Sequence, residues 1–241
     1  MRQRFNKLLF NAGSQAYDIL TYQDVWREQI ADVLEHVPEP GKIRRILDLG
    51  CGPGVSAFVL AEHLPHTQVD GVDLAVKMID RAKVHHRRTF AHLKNVEFHV
   101  GDATELPWED GTFDLAVGHS FLYLVPDQAA VLAETRRLLA PGGTMVLLEP
   151  NRTGNFRGAF GRSFGRDFEP HRFVDVSRFH MSMFAWRIVS GNVGRLDPVA
   201  VRRWMLDAGF DRAEISSTLG GLGMHCVGRV DGIEDDRSDV D

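Results

Sequence analysis

Glycines at positions 50, 52 and 54, directly after Ile46-Leu47-Asp48-Leu49, form the densest chemical signal in the chain. Residues without a Cβ let the backbone turn tightly off a strand and come close to a ligand. Several readings compete for such a loop. A dinucleotide fingerprint requires a glycine three residues after Gly52, where Val55 stands, and a phosphate-binding P-loop requires a Gly-Lys-Ser/Thr ending that is absent. A loop that merely packs a helix onto a sheet is a third reading. Asp48, just ahead of the glycines, would repel phosphate; it suits a ligand carrying an ammonium and a sulfonium.

Two further acids follow at the ends of apolar runs. Asp73 closes the run 69–73, roughly the 20-residue distance at which an acid accepts hydrogen bonds from ribose hydroxyls. The same position serves a nicotinamide dinucleotide, or caps the next helix. Asp102, in Val100-Gly101-Asp102-Ala103, stands where it could accept from an adenine amino group. His119 is a candidate base by its ordinary pKa, or else a pocket-lining or packing histidine. His171 and Glu149 are further candidates of the same kind, and no catalytic residue is assigned. The histidines at 63 and 66, and at 85 and 86, lack companion ligands at metal spacing, so no metal is expected and solvated helix faces explain them.

The elements that must position these residues alternate. Apolar groups at Ile19, Tyr22, Trp26, Ile30, Val33 and Leu34 predict a helix over 16–37, ended by Pro38 and Pro40-Gly41. Strands are predicted at 45–49, 69–73, 96–100, 113–118 and 144–148, with helices through 57–64, from Ala75 onward and over 127–139. This alternation implies right-handed crossovers and a largely parallel sheet covered on both faces, an α/β doubly wound fold. Ligands of such sheets bind at the carboxyl ends of the strands, where Asp48, Asp73, Asp102 and His119 all fall.

A chain of 241 residues suffices for one substantial domain, and its 44% hydrophobic and 25% charged residues are ordinary for a globular protein. A net charge of −5 argues against tight nucleic-acid binding, which needs basic surface. Cys51 and Cys226 make neither a disulfide framework nor a zinc site, and suit a reducing cytoplasm. The first twenty residues lack a signal-peptide core, no stretch approaches a membrane span, and 231–241 read as an acidic, disordered tail.

Taken in order, Asp48-Leu49-Gly50-Cys51-Gly52-Pro53-Gly54, Val72-Asp73, Gly101-Asp102-Ala103, Phe113-Asp114-Leu115 and Leu138-Leu139-Ala140-Pro141-Gly142-Gly143 resemble the motif set of class I S-adenosylmethionine (SAM)-dependent methyltransferases. The resemblance runs continuously over about residues 40–150. It implies a seven-stranded, mostly parallel sheet with a C-terminal antiparallel hairpin, supplied by 212–217 and 223–230 after a helix over 198–208. It also implies SAM as cofactor, with Asp48, Gly50, Cys51, Gly52 and Gly54 at the methionine portion, and Asp73 at the ribose. Leu74, Asp102 and Ala103 would lie at the adenine, and His119 would border the donor. Tyr17 resembles an early tyrosine of lipid- and quinone-modifying members, whose N-terminal helix closes over the donor; a core tyrosine is the alternative.

The organisation expected is an N-terminal helical cap (1–40), a methyltransferase domain (41–230) with a lid insertion at about 152–190, and the tail. Within the insertion Phe156, Phe160, Phe164 and Phe168 recur every fourth position beside Arg157, Arg162 and Arg166. Gly154, Gly158, Gly161 and Gly165 oppose a helix there, at up to about 1 kcal/mol each. A lid that orders over substrate reconciles the two, as does packing onto the sheet. With the soft run Phe179-His180-Met181-Ser182-Met183-Phe184-Ala185-Trp186, the lid reading implies a small lipophilic acceptor, lipid-like or quinone-like, and allows peripheral membrane contact. A nicotinamide-dependent oxidoreductase and a non-catalytic SAM-binding protein are the competing functions.

Overall fold

The computed structural model describes residues 24–154, 181, 184, 187, 190, 191 and 194–232. Tyr17, His171, the aromatic stripe at 156–168 and the tail from 233 onward lie outside the described residues. Seven strands form one sheet: β1 (Arg45–Leu49), β2 (Gln68–Asp73), β3 (Val96–Val100), β4 (Phe113–His119), β5 (Leu139–Pro150), β6 (Arg212–Thr218) and β7 (Gly223–Arg229). Their order is β3-β2-β1-β4-β5-β7-β6. β1 to β5 pair in parallel, whereas β7 runs antiparallel to both β5 and β6. The doubly wound sheet and its closing hairpin are those the sequence predicts.

Among the described residues the faces are covered by the helices α1 (Asp24–Ala31), α2 (Val55–His63), α3 (Val76–Arg88), α4 (Gln128–Leu138) and α5 (Pro198–Asp207). Strand alternation sorts the side chains between two cores. Ile46, Val69, Leu115, Val117, Val146 and Val227 meet α1 to α3 through Ile30, Phe58 and Ile79. Leu47, Leu49, Val72, Ala116, Met145 and Leu147 meet α4 and α5 through Leu132, Val201 and Met205. Phe58 stacks on Phe90 at 4.2 Å and meets Phe98 edge-on at 5.4 Å, so truncating it to alanine would cost about 3–5 kcal/mol.

Caps fix where helices begin. The Asp127 carboxylate accepts from Ala130 N at 2.9 Å, and that of Asp197 from Val199 N at 3.0 Å, with Pro198 opening α5. Two boundaries differ from the sequence expectation. The helix predicted across 16–37 tightens, in its described part, to a 3-10 turn over Asp32–His36. β5 begins earlier than residue 144 because Leu139 already pairs with Phe113 ahead of a register shift.

Candidate donor and acceptor site

Parallel pairing brings the carboxyl ends of β1 to β4 to one edge, and hydrogen bonds then tie their loops together. Cys51 N donates to Val72 O at 3.0 Å, Gly52 N to Asp73 Oδ2 at 3.0 Å, and Gly101 N to Asp73 O at 3.2 Å. The glycine loop is left-handed at Gly50 (φ 65°) and Gly54 (φ 94°), a region strained for any residue with a Cβ. A Cβ on Gly54 would also lie 2.8 Å from Phe98 Cζ. Gly54 caps α2, so the loop leads straight into that helix's free N–H groups.

Asp48 is wholly buried beneath this loop. Its Oδ2 accepts from Ser56 Oγ at the start of α2, while its Oδ1 is buried without a hydrogen-bond partner. Burial pushes its pKa up to about 7, against the Ser56 and Ala57 hydrogen bonds and with the nearby Asp73 charge adding to the rise. An orphaned buried carboxylate oxygen under a glycine cradle is the environment a cationic ligand end would relieve. The residues present therefore fit the ammonium-bearing end of SAM.

Asp73 keeps its carboxylate at the loop through Gly52 N and through Ala75 N at 2.7 Å. Burial raises its pKa, and these two hydrogen bonds oppose the rise. It does not cap α3, whose N-cap is Ala75. Leu74 is half-buried beside it. Asp102 and Ala103, also half-buried, sit past β3, where Asp102 Oδ1 accepts from Thr104 N at 3.1 Å and Thr104 Oγ1 at 2.9 Å. Cys51 is buried, and burial, followed by the Asp48 and Asp73 charges, drives its thiol well above the ordinary range. It is a packing residue of the loop and no nucleophile.

His119 ends β4 and pairs with Leu148, which pairs in turn with His225 of β7. Burial, aided by His225, holds the His119 pKa near 4, well below the neutral range its residue type suggested. His225 is likewise near 4, and its Nδ1 lies 2.9 Å from Nε2 of His36 in the N-terminal 3-10 turn. Glu149 is buried and engaged by three backbone N–H groups, which removes it from the candidate bases. Met181 and Phe184, from the soft apolar run, are exposed. Arg187 Nη1 ties that segment to the end of β5 through Asn151 O at 2.7 Å.

Ser56 and the His36–His225 pair escaped sequence reasoning. His36 and His225 stand 189 positions apart, and no local pattern links them. Ser56 alone carried a usable signal, as a hydroxyl in the first turn of the helix that follows the glycines.

Fold and loop together define a SAM-binding Rossmann-like domain. Residues 40–183 match the methyltransferase domain family, more than half of the chain. The demethylmenaquinone methyltransferase of Thermus thermophilus is 32% identical over 213 residues, covering 83% of this chain and 87% of that protein. An uncharacterized 37.1 kDa protein in a Streptomyces fradiae transposon is 37% identical over 166 residues, but the chain spans only 42% of its length. Human N-acetylserotonin methyltransferase, solved with SAM, superposes with a TM-score of 0.61 at 18% identity, over 95% of this chain and 56% of that one. The chain belongs to the class I SAM-dependent methyltransferases and is an enzyme that uses SAM as methyl donor.

Proposed function

We propose that the acceptor is a small lipophilic molecule of quinone-like chemistry, methylated by in-line displacement. The observation that carries this is the similarity to demethylmenaquinone methyltransferase over most of both chains. Exposed Met181 and Phe184 support it, because soft apolar side chains suit such an acceptor. Among the described residues no helix is long and apolar enough to cross a membrane.

SAM, when bound, supplies a methyl group already activated by the sulfonium charge. The work left to the residues is alignment and exclusion of water, and positioning of this sort supplies roughly 7–11 kcal/mol. Asp48 and the Gly50–Cys51–Gly52–Gly54 backbone hold the methionine end in this reading. Asp73 accepts from the ribose hydroxyls, and Leu74, Asp102 and Ala103 border the adenine. His119, neutral above about pH 4, presents an imidazole that can accept a hydrogen bond from an acceptor hydroxyl and orient it toward the methyl group.

The test is transfer of radiolabelled methyl from SAM to reduced demethylmenaquinone, with catechol and amine compounds alongside and NAD titrated separately. Label in the organic extract of the quinone reaction supports the reading. S-Adenosylhomocysteine binding without transfer to any acceptor would sink it and favour a SAM-binding protein without catalysis.

A further inference from the structure

Glu149 lies at the carboxyl end of β5 with no exposed surface, so its carboxylate must find partners inside the protein. It finds them in a single turn. Phe121 N donates to Oε1 at 3.0 Å, Leu122 N to Oε1 at 2.7 Å, and Tyr123 N to Oε2 at 3.3 Å. The turn is entered through Ser120, whose φ of 57° is unfavourable for a residue with a Cβ. Ser120 N is itself fixed to Leu148 O at 2.8 Å. Three N–H groups converging on one carboxylate hold a strained turn that would otherwise relax.

That turn carries Phe121, whose ring lies directly against Gly50. A Cβ placed on Gly50 would meet Phe121 Cγ at 2.9 Å and Phe121 Cβ at 3.0 Å. The other side of the ring approaches Gly118 of β4, where an added Cβ would lie 3.4 Å from Phe121 Cδ1. Phe121 is therefore wedged between the first glycine of the donor loop and the end of β4. The absence of a side chain at Gly50 leaves room for it, whereas the contact with Gly118 is ordinary van der Waals packing.

We infer that Glu149 is a positioning residue for methyl transfer: it holds the Ser120–Tyr123 turn so that Phe121 backs the donor loop at Gly50. This inference rests on the reading that the 48–54 loop holds the donor. Burial raises the Glu149 pKa to about 7 against the pull of the three N–H groups, so above that pH glutamate suits the task as a carboxylate with about four acceptor sites and no donor. A glutamine would turn an amide N–H toward backbone N–H groups and leave at least one of them unpaired. Loss of the clamp frees the Phe121 ring, and Gly50 loses the wall that keeps its left-handed conformation in register with Gly52 and Asp73.

The experiment is a double-mutant cycle on S-adenosylhomocysteine binding, read by calorimetry, with urea unfolding of every variant. Glu149→Gln and Phe121→Ala should each raise Kd about tenfold, and the double variant should raise it no further than the stronger single one. Residues acting through one contact are non-additive in this way. Multiplying effects, or an unchanged Kd in folded Phe121→Ala, overturn the inference. Should Glu149→Gln fail to fold, Phe121→Ala decides alone: weakened binding at unchanged stability supports the clamp, and unchanged binding refutes it. Wild-type protein that binds no S-adenosylhomocysteine would fail at the donor assignment itself, before either substitution is compared.

Discussion

Donor affinity should fall as the pH drops below 7, and Asp48 should cause a separable share of that fall. Its buried carboxyl has a pKa of about 7 in the free protein, and its Oδ1 has no partner. A bound cation stabilises the ionised form, so binding and deprotonation are linked. With a pKa of about 7, the ionised fraction is about 0.5 at pH 7 and ~0.09 at pH 6. If only the ionised form binds well, Kd rises about fivefold across that one unit, or ~1 kcal/mol. A donor α-amino group, with a pKa of about 7.7–8.0, stays protonated in this window and does not contribute. Calorimetric titration with SAM at pH 6.0, 6.5 and 7.0 reads the slope, and heats in buffers of different ionisation enthalpy count the proton released. Asp48→Asn, which has no such carboxyl, should bind more weakly at pH 7 and show a shallower slope. Equal slopes in wild type and Asp48→Asn would refute the reasoning.

Asp73→Ala removes the acceptor of two charge-assisted bonds from the ribose hydroxyls, for which about 3 kcal/mol, or roughly a hundredfold in SAM Kd, is expected; it also frees Gly52 N and Ala75 N. Unchanged affinity would sink the ribose assignment. Gly54→Ala forces a Cβ to 2.8 Å from Phe98 Cζ at a φ of 94°, and urea unfolding should show a loss of about 2–3 kcal/mol with donor binding impaired. Stability should carry opposing pH signatures from buried groups. Asp48 and Glu149 are raised to about 7 from 3.8 and 4.5, so the folded state holds protons that the unfolded chain releases, and their contribution declines as pH rises from about 4 to 7. His119 and His225 are lowered from 6.5 to about 4, so the unfolded chain binds protons that the folded state excludes, and their contribution declines as pH falls from 6.5 toward 4. Replacing both histidines with asparagine should therefore raise stability relative to wild type more at pH 5 than at pH 7, measured by urea denaturation; a pH-independent difference would refute this.

Most of the fold, and the meeting of the proposed donor residues at one edge of the sheet, were legible in the sequence because both rest on local pattern. β1 reads as a strand from the run Ile46 to Leu49, and α2 as a helix from the glycine at its cap, since each depends on neighbours a few residues away. Parallel pairing then aligns the strand ends without further information, which is why Asp48, Asp73 and Asp102 could be placed at one edge from spacing alone. The state of the candidate bases was less legible. His119 offered an ordinary histidine pKa to the eye, and only its burial beside His225 lowers it to about 4. Glu149 could have been a base until three N–H groups from a turn 26 to 28 residues upstream proved to occupy it.

By itself the sequence determined the strand and helix alternation, the glycine loop, the acids at the ends of the first three strands and hence the donor chemistry. These are properties of residue type and short spacing, and backbone sterics enforce them wherever the chain lies. Tertiary structure alone decided which carboxylate is left with an orphaned oxygen, which is sealed by backbone N–H groups, and which histidines stay neutral. Each of those outcomes depends on desolvation and on partners from distant strands, and a linear chain does not carry that information until it is packed.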